Sequence, residues 1–352
     1  MRRRRTPSSP CIAVTGGSSG LGQALLERLA GSADLGEVDL VGLDRSTARI
    51  DGVSWRPGYP RDRRLAARLD GITTVVHLAL CFDPTADPRY RRDLNVLGTA
   101  ALLEAARVAG VDRVVLVTGV DVYGALPGTS VPLAEESPLR AEPDHGLLGD
   151  LVEVERLASH ATRTGLDVVL LRPSTLVGGA LGPAYDGAQL LSLTGSRLLA
   201  ARGVEPLWQL CHTDDLLAVL ELAALGRVSG ALAVGCDGWL TQREVERLSG
   251  LRRLELPGAL AVSTAERLHR IGATSGSPRE LDRLLFPLVV EPRRLRAAGW
   301  VPAWTNAEAL SAHLELRPPV PGRAGTYTAA GATVALLGTA ALVRRSRERR
   351  GR

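Results

Sequence analysis

Lysine is missing altogether: every cation other than histidine in this chain of 352 residues is an arginine. That absence excludes Schiff-base chemistry, a phosphate-loop lysine and any tyrosine whose acidity is tuned by a neighbouring ammonium group. The accompanying excess of Ala, Gly, Arg and Leu looks like the mutational bias of a GC-rich genome. Aromatic residues are scarce at 3%, with Phe82 and Phe286 the only phenylalanines, which argues against a base-stacking nucleic-acid platform. The net charge of +5 sits at the ends, in Arg2 to Arg5 and in Arg344, Arg345, Arg347, Arg349, Arg350 and Arg352. The body between them is close to neutral, so no nucleic-acid partner is expected. Cys11, Cys81, Cys211 and Cys236 are widely spaced and the six histidines lack ligand spacing, which suits reduced thiols and excludes both a disulfide frame and a zinc site. The Arg run has no apolar segment behind it, so we expect no signal peptide and a cytoplasmic main domain.

What is present is alternation. CIAVTGG reads as a buried strand and turn, LGQALLERLAG as an amphipathic helix closed by Gly31, and VDLVGLD as a second strand. TTVVHLAL, VDRVVLVTG and LDVVLLRPSTLVG are further strands, separated by the helices LNVLGTAALLEAARVAG and DHGLLGDLVEVERL. Strands alternating with helices of ten or more residues predict βαβ units and right-handed crossovers, hence an α/β, Rossmann-type doubly wound parallel sheet. Beyond about residue 180 the alternation weakens; a helix at DDLLAVLELAALG, a strand at GALAVG and helices around 241–250 and 260–271 predict a smaller C-terminal substrate lobe. The expected organisation is a basic arm (1–9), a Rossmann domain (10–180), a lobe partly returning to the Rossmann core (181–316), a linker (317–325), a hydrophobic helix (326–343) and a basic tail (344–352).

TGGSSGLG joins the first strand to the first helix. Gly16 permits a tight turn, Gly20 lets backbone approach a pyrophosphate, and Gly22 allows close helix–strand packing, while the helix N-terminus offers free N–H groups to an anion. LVGLD places Asp44 about twenty residues on, at the end of the second strand, where a carboxylate accepts from a ribose 2′-hydroxyl and repels a 2′-phosphate. NAD is therefore the expected cofactor; Arg45, the adjacent guanidinium, keeps NADP open.

TGGSSGLG, VVHLAL (75–80), LNVLGTAALLEAARVAGVDRVVLVTG (94–119), VYG (122–124) and LRPSTLVG (171–178) together closely resemble the extended short-chain dehydrogenase/reductase family, the NAD-dependent epimerase/dehydratase group. The resemblance runs from about Cys11 to His313. It implies cofactor contacts from Gly16, Gly17, Ser19, Gly20, Leu21 and Gly22, with Leu78 and Ala79 lining the adenosine–nicotinamide bridge. It further implies that Asn95 holds an active-site water or a helix bend, and that Thr118 and the stretch Pro173 to Thr175 lie near the nicotinamide. HTDDLLAVLELA (212–223) resembles the late motif of the family, with Asp214 or Asp215 capping a helix that returns to the core. Ser19 departs from the glycine usual in extended members.

The catalytic set implied by the family is a Ser or Thr three residues before Val–Tyr–Gly and a YxxxK pair. Here those positions hold Gly119, His145 and Gly149. Thr118 lies one residue from the hydroxyl position, and His145, with Asp144 beside it and Asp121 in the preceding loop, is the titratable group at the tyrosine position. Two readings follow: His145 transfers the proton, or it is a loop residue at a helix start and ordinary hydride chemistry is lost. The second is favoured, because Gly119 supplies nothing to polarise a carbonyl.

Three functions are compatible with these features: a cofactor-binding family member without standard chemistry, an active enzyme on a nucleotide-sugar-like small molecule using His145, or a cofactor-sensing scaffold at a membrane. The membrane enters through TYTAAGATVALLGTAALV, an uncharged stretch followed directly by arginines, which predicts a membrane-spanning helix or one lying on anionic lipid. A helix pair of the family type would also suit a homodimer.

Overall fold

The computed structural model describes residues 10–33, 36, 38–83, 86–179, 197–256, 282–283 and 285–316. The arm 1–9, the helix expected at 260–271, and the linker, hydrophobic segment and basic tail beyond 316 lie outside the described residues. Among the described residues no helix is long and apolar enough to cross a membrane.

Seven strands form one sheet, wholly parallel: β1 (Cys11–Thr15), β2 (Asp39–Asp44), β3 (Val53–Pro57), β4 (Thr74–His77), β5 (Arg113–Val117), β6 (Asp167–Pro173) and β11 (Ala231–Val234). Their spatial order is β11-β6-β5-β4-β1-β2-β3. The chain leaves β1 towards one edge and then returns to build the other, so the order reverses between β1 and β4. In such a sheet, ligands bind at that switch point, outside the carboxyl ends of the strands.

β1 shows why the sheet is covered on both faces. Ile12 and Val14 point into one core; Cys11 and Ala13 point into the other. The first core is closed by α1 (Gly20–Ala30) and α6 (Thr213–Ala224), the second by α2 (Leu65–Arg68), α4 (Thr99–Ala109) and α5 (Leu147–Arg163). Leu25, Leu26 and Leu29 of α1 are fully buried, and each such side chain contributes about 1.5–3 kcal/mol. That anchorage fixes the turn at the N-terminus of α1 relative to the strand ends.

α4 is preceded by α3 (Pro88–Arg92) and by a π-helical turn, Asp93–Gly98. Asn95 sits in that turn, wholly buried, and its side chain holds both backbone groups of Cys81: Oδ1 accepts from Cys81 N at 2.7 Å and Nδ2 donates to Cys81 O at 2.8 Å. The side chain thus ties the irregular turn to the loop that follows β4.

The remaining elements build a smaller unit on the carboxyl side of the sheet. β7 (Thr175–Val177) pairs with β10 (Leu210–His212), β8 (Arg197–Ala201) with β13 (Arg252–Leu256), and β9 (Leu207–Trp208) with β12 (Leu240–Thr241). α7 (Gln242–Ser249) and α9 (Asn306–Glu315) complete it, while α8 (Arg293–Ala297) places Leu295 in the first core of the large sheet. Gln209 substitutes for a strand partner: its amide donates to Cys236 O and Val290 O at 2.9 and 2.8 Å and accepts from Val290 N at 2.9 Å. The α6 cap differs from expectation. His212, rather than Asp214 or Asp215, occupies the cap and accepts from Asp214 N at 3.2 Å. Asp215 instead turns to accept from Ala303 N at 2.8 Å and Trp304 N at 3.4 Å, anchoring the distant C-terminal segment.

Candidate dinucleotide and catalytic site

The glycine turn is shaped by contacts that only hydrogen atoms allow. Gly16 has φ +67°, and a Cβ there would stand 2.8 Å from Ala79 N and from Leu78 C and O. The end of β1 therefore lies directly against the backbone that leaves β4, which is the close approach the motif predicts. At Gly22 a Cβ would overlap the Gly16 carbonyl oxygen and stand 2.9 Å from Gly17 Cα. Ser19 caps α1: its hydroxyl donates to Gly16 O at 2.7 Å and accepts from Gly22 N at 3.1 Å. The serine thus locks the turn where extended members carry glycine. Gly20 and Leu21 follow, and among the described residues no acceptor takes their backbone N–H groups. Two free donors at a helix start beside a strand end suit a pyrophosphate.

Asp44 closes β2 beside this turn. Its carboxylate is oriented by Ser18, which donates from N at 3.1 Å and from Oγ at 2.7 Å, and by Arg45 N at 2.6 Å. Below the turn, Thr15 Oγ1 lies 2.7 Å from His77 Nδ1, and His77 Nε2 lies 3.2 Å from Thr99 Oγ1. Complete burial lowers the His77 pKa to about 3, so this imidazole is neutral and its role is to brace β1 against β4 and α4. The residues at this end fit a dinucleotide: a cradle that a Cβ would fill, free N–H donors, and a fixed carboxylate at the second strand end.

The ends of β5 and β6 stand on the same carboxyl edge of the sheet. Gly119 adopts extended backbone, φ 177° and ψ 161°, and opens a short 3₁₀ turn, Val120–Tyr123. A Cβ at Gly119 would meet only ordinary neighbours, Asp121 Oδ2 at 3.6 Å, Pro173 O at 3.8 Å and Leu151 Cδ1 at 4.0 Å. A hydroxyl is missing here from sequence, not for want of room. Thr118 does not replace it. It is 2% exposed and donates to Glu155 Oε1 at 2.8 Å, inside a buried network. There Glu155 receives Arg172 in a two-pronged pair, Nε to Oε1 at 2.9 Å and Nη2 to Oε2 at 2.7 Å, and Arg172 Nη1 reaches Tyr123 Oη at 2.9 Å. The Thr118 hydroxyl is committed to structure.

The position at which the resemblance leads one to expect a lysine, Gly149, is closed. A Cβ at Gly149 would overlap the Asp144 carbonyl oxygen and stand 2.7 and 2.8 Å from Asp144 C and N. Asp144 folds back over the start of α5, where its Oδ1 accepts from Gly146 N at 2.8 Å and Gly149 N at 3.0 Å. The expected helix start at Asp144 therefore moves to Leu147, and residues 144–146 become its capping loop. His145 lies on that loop with an exposed side chain. Its carbonyl accepts from Arg91 Nη2 at 2.8 Å. Arg91, wholly buried on α3, also donates from Nε to Asp150 Oδ2 at 2.9 Å. Burial raises the pKa of Asp150 and the two guanidiniums of Arg91 and Arg92 oppose that rise. The buried pair pins α3 to the start of α5.

One residue near the crevice has no local sequence signal. Arg283 comes from the C-terminal unit, forms an ion pair with Asp121 and donates from Nη1 to Thr175 Oγ1 at 3.0 Å. Thr175 is thus engaged by a residue 108 positions away.

Residues 12–228 match the model of the NAD dependent epimerase/dehydratase family. The chain is 30% identical over 257 residues to Rv0501, an uncharacterized protein of Mycobacterium tuberculosis; the match covers 71% of this chain and 67% of that one. It is 24% identical over 318 residues to a UDP-glucose 4-epimerase of Mycolicibacterium smegmatis, covering 86% of this chain and 96% of the epimerase. Among solved structures, MoeE5 in complex with UDP-glucuronic acid and NAD superposes with a TM-score of 0.64 at 24% identity, covering 86% of this chain and 97% of that one. With its glycine cradle at the β1–β4 switch point and this match across the Rossmann core, the chain belongs to the NAD-dependent epimerase/dehydratase family.

Proposed function

We propose that this protein binds NAD in the crevice between β1 and β4 and does not use the Tyr/Lys hydride chemistry of its family. The observation that carries the reading is at Gly149, where the Asp144 backbone fills the space through which a lysine side chain would have to rise. The hydroxyl position is Gly119, and the adjoining Thr118 donates its hydroxyl to Glu155. Bound NAD supplies a reversible hydride acceptor; this chain holds its pyrophosphate at Gly16 to Gly22 and its adenosine ribose at Asp44. A fixed carboxylate favours the 2′-hydroxyl of NAD over the 2′-phosphate of NADP. Such a protein acts through its cofactor-bound state, as a binder of a small molecule or as a sensor of nucleotide.

The alternative is an active enzyme that works on a nucleotide sugar through His145. Its support is the exposed imidazole at the position of the family's tyrosine. Calorimetric titration with NAD, followed by product analysis with UDP-glucose and UDP-glucuronic acid, separates the two. We expect binding without interconversion of either sugar and no change of cofactor affinity in His145→Ala. Turnover by the native protein that His145→Ala removes would establish the alternative instead.

The hydrophobic segment 326–343 and the arginines after it carry a separate proposal, attachment to a bilayer, on sequence grounds alone. Eighteen uncharged residues stand at the short end of the spanning range, and the arginines beyond them suit anionic headgroups.

A further inference from the structure

At the amino ends of the strands, on the edge of the sheet opposite the crevice, a cavity of about 430 Å³ opens. Pro10, Ile12, Val38 and Leu225 give it an apolar wall. Asp112, Arg113 and Asp167, at the starts of β5 and β6, give it a polar one. The charges there are unevenly satisfied. Arg113 donates from Nε and Nη2 to Asp167 Oδ2 at 2.8 and 2.6 Å, and from Nη1 to Ala223 O and Val228 O at 3.0 and 3.4 Å, so its donors are spent. Arg227, exposed at the rim, is engaged as well. Asp112 is also exposed; its backbone N–H donates to Thr73 O at 2.9 Å, but among the described residues its carboxylate accepts from no partner. α6 ends at the same cavity with Leu225 as its C-cap, and its last turn carries no basic side chain to meet the carbonyl end of the helix. A carboxylate without a partner and a helix C-terminus both favour a cation, and the apolar wall favours a cation carried on an apolar stem.

Arginine combines the two, a guanidinium on a stem that can lie along apolar surface. The sequence places Arg2 to Arg5 shortly before Pro10, which is itself part of the cavity wall. We propose that the basic arm, residues 1–9, docks on its own domain, with a guanidinium of Arg2 to Arg5 in this cavity against the Asp112 carboxylate. Five residues separate Arg5 from Pro10, a reach of at most roughly 17 Å, so the arm can enter the cavity that it adjoins. So short a tether sets an effective concentration of about the millimolar range. A single ion pair and a buried stem, negligible between separate molecules, are then enough to hold the arm. The arginines of 344–352 have no such anchorage, because the described chain stops at residue 316 in the unit on the carboxyl side of the sheet. Docking keeps the charge of the arm on the edge away from the crevice. The proposal is independent of the cofactor reading.

The absence of lysine gives the test a clean background. A water-soluble carbodiimide condenses an amine with a carboxylate that it touches. In full-length Arg3→Lys, Arg4→Lys or Arg5→Lys the introduced amine is the only one besides the α-amine. Mass spectrometry of the cross-linked peptides should find coupling mainly to Asp112 or its neighbour Asp167 in at least one of the three variants. When isotopically heavy and light chains are mixed before coupling, the links should join residues of the same chain. A second readout uses the native arginines. Asp112→Asn removes a carboxylate that holds nothing else among the described residues. It should raise the initial rate of tryptic cleavage within Arg2 to Arg5 by about fivefold, the upper worth of an exposed ion pair. Cleavage within the arginine-rich tail 344–352 should not change, which makes the tail an internal control. Coupling spread evenly over exposed carboxylates such as Asp51 and Glu104 would overturn the docking. Links between different chains would overturn it too, since the occupant would then be a second copy. So would cleavage of the arm within about twofold of native in Asp112→Asn, because the carboxylate would then hold no arginine.

Discussion

Placing alanine at Gly149 and at Gly119 should have opposite consequences for stability. At Gly149, in the first turn of α5, alanine is ordinarily the better helix former by about 0.8–1.0 kcal/mol. Here its Cβ would overlap the Asp144 carbonyl oxygen, so the capping loop must lift. Lifting it removes the Asp144 Oδ1 bonds to Gly146 N and Gly149 N, and loss of a side-chain cap costs about 0.5–2 kcal/mol. Packing around the displaced backbone is lost as well. We therefore expect Gly149→Ala to destabilise despite its better propensity, by up to about 1 kcal/mol from the cap loss net of the helix gain and by more with the packing loss. At Gly119 the backbone is extended and the nearest neighbour of a new Cβ is 3.6 Å away. Gly119→Ala should be neutral or should stabilise by about 0.4–1 kcal/mol, because the unfolded chain loses freedom that the folded chain never used. Urea denaturation read by far-ultraviolet circular dichroism gives both values from the midpoint at constant slope. A Gly149→Ala variant that is more stable than the native protein would refute the covering role of Asp144, and with it the reason that the lysine position is closed.

Three further outcomes are expected. His77 is neutral when folded, with its pKa lowered to about 3 from an ordinary 6.5, so the unfolded chain takes up a proton that the folded one refuses. Its contribution to stability is complete above about pH 6.5 and is lost as pH falls towards 3, by about 1.4 kcal/mol per unit; His77→Gln should flatten the stability–pH curve in that window by one proton's slope. Glu155→Gln leaves Arg172 buried without its counter-charge and should cost about 3–5 kcal/mol in chemical denaturation, whereas a loss below about 1 kcal/mol would mean that the pair is solvated. Full-length protein should sediment with vesicles containing anionic lipid and a chain ending at Gly325 should not, with unchanged NAD affinity; equal partitioning of the two would exclude the C-terminal segment as an attachment.

Much of the cofactor end is legible in the sequence because its determinants are local. Gly16 and Gly22 are set by backbone sterics within one strand–turn–helix, and Asp44 by the length of a single βαβ step. The parallel sheet likewise follows from short apolar runs such as CIAVT alternating with helices whose leucines recur at helical spacing. The catalytic end is less legible. That Gly149 and Gly119 lack functional side chains can be read directly, but not that one position is covered and the other open. Nor does the sequence indicate that Thr118 donates to Glu155, 37 residues away, or that His212 caps α6 while Asp215 accepts from Ala303 N.

By itself the sequence determined what this protein does without: a chain with no lysine cannot complete a Tyr/Lys pair however it folds. It also determined the strand–glycine turn–helix, since φ above zero at Gly16 and contact at Gly22 admit no other residue without strain. Tertiary structure alone decided which polar groups remain available. Arg283 reaches Thr175 across 108 residues, and Gln209 reaches Val290 across 81. Partners so far apart are selected by packing and by the need to satisfy buried donors and acceptors, and neither leaves a periodic trace along the chain.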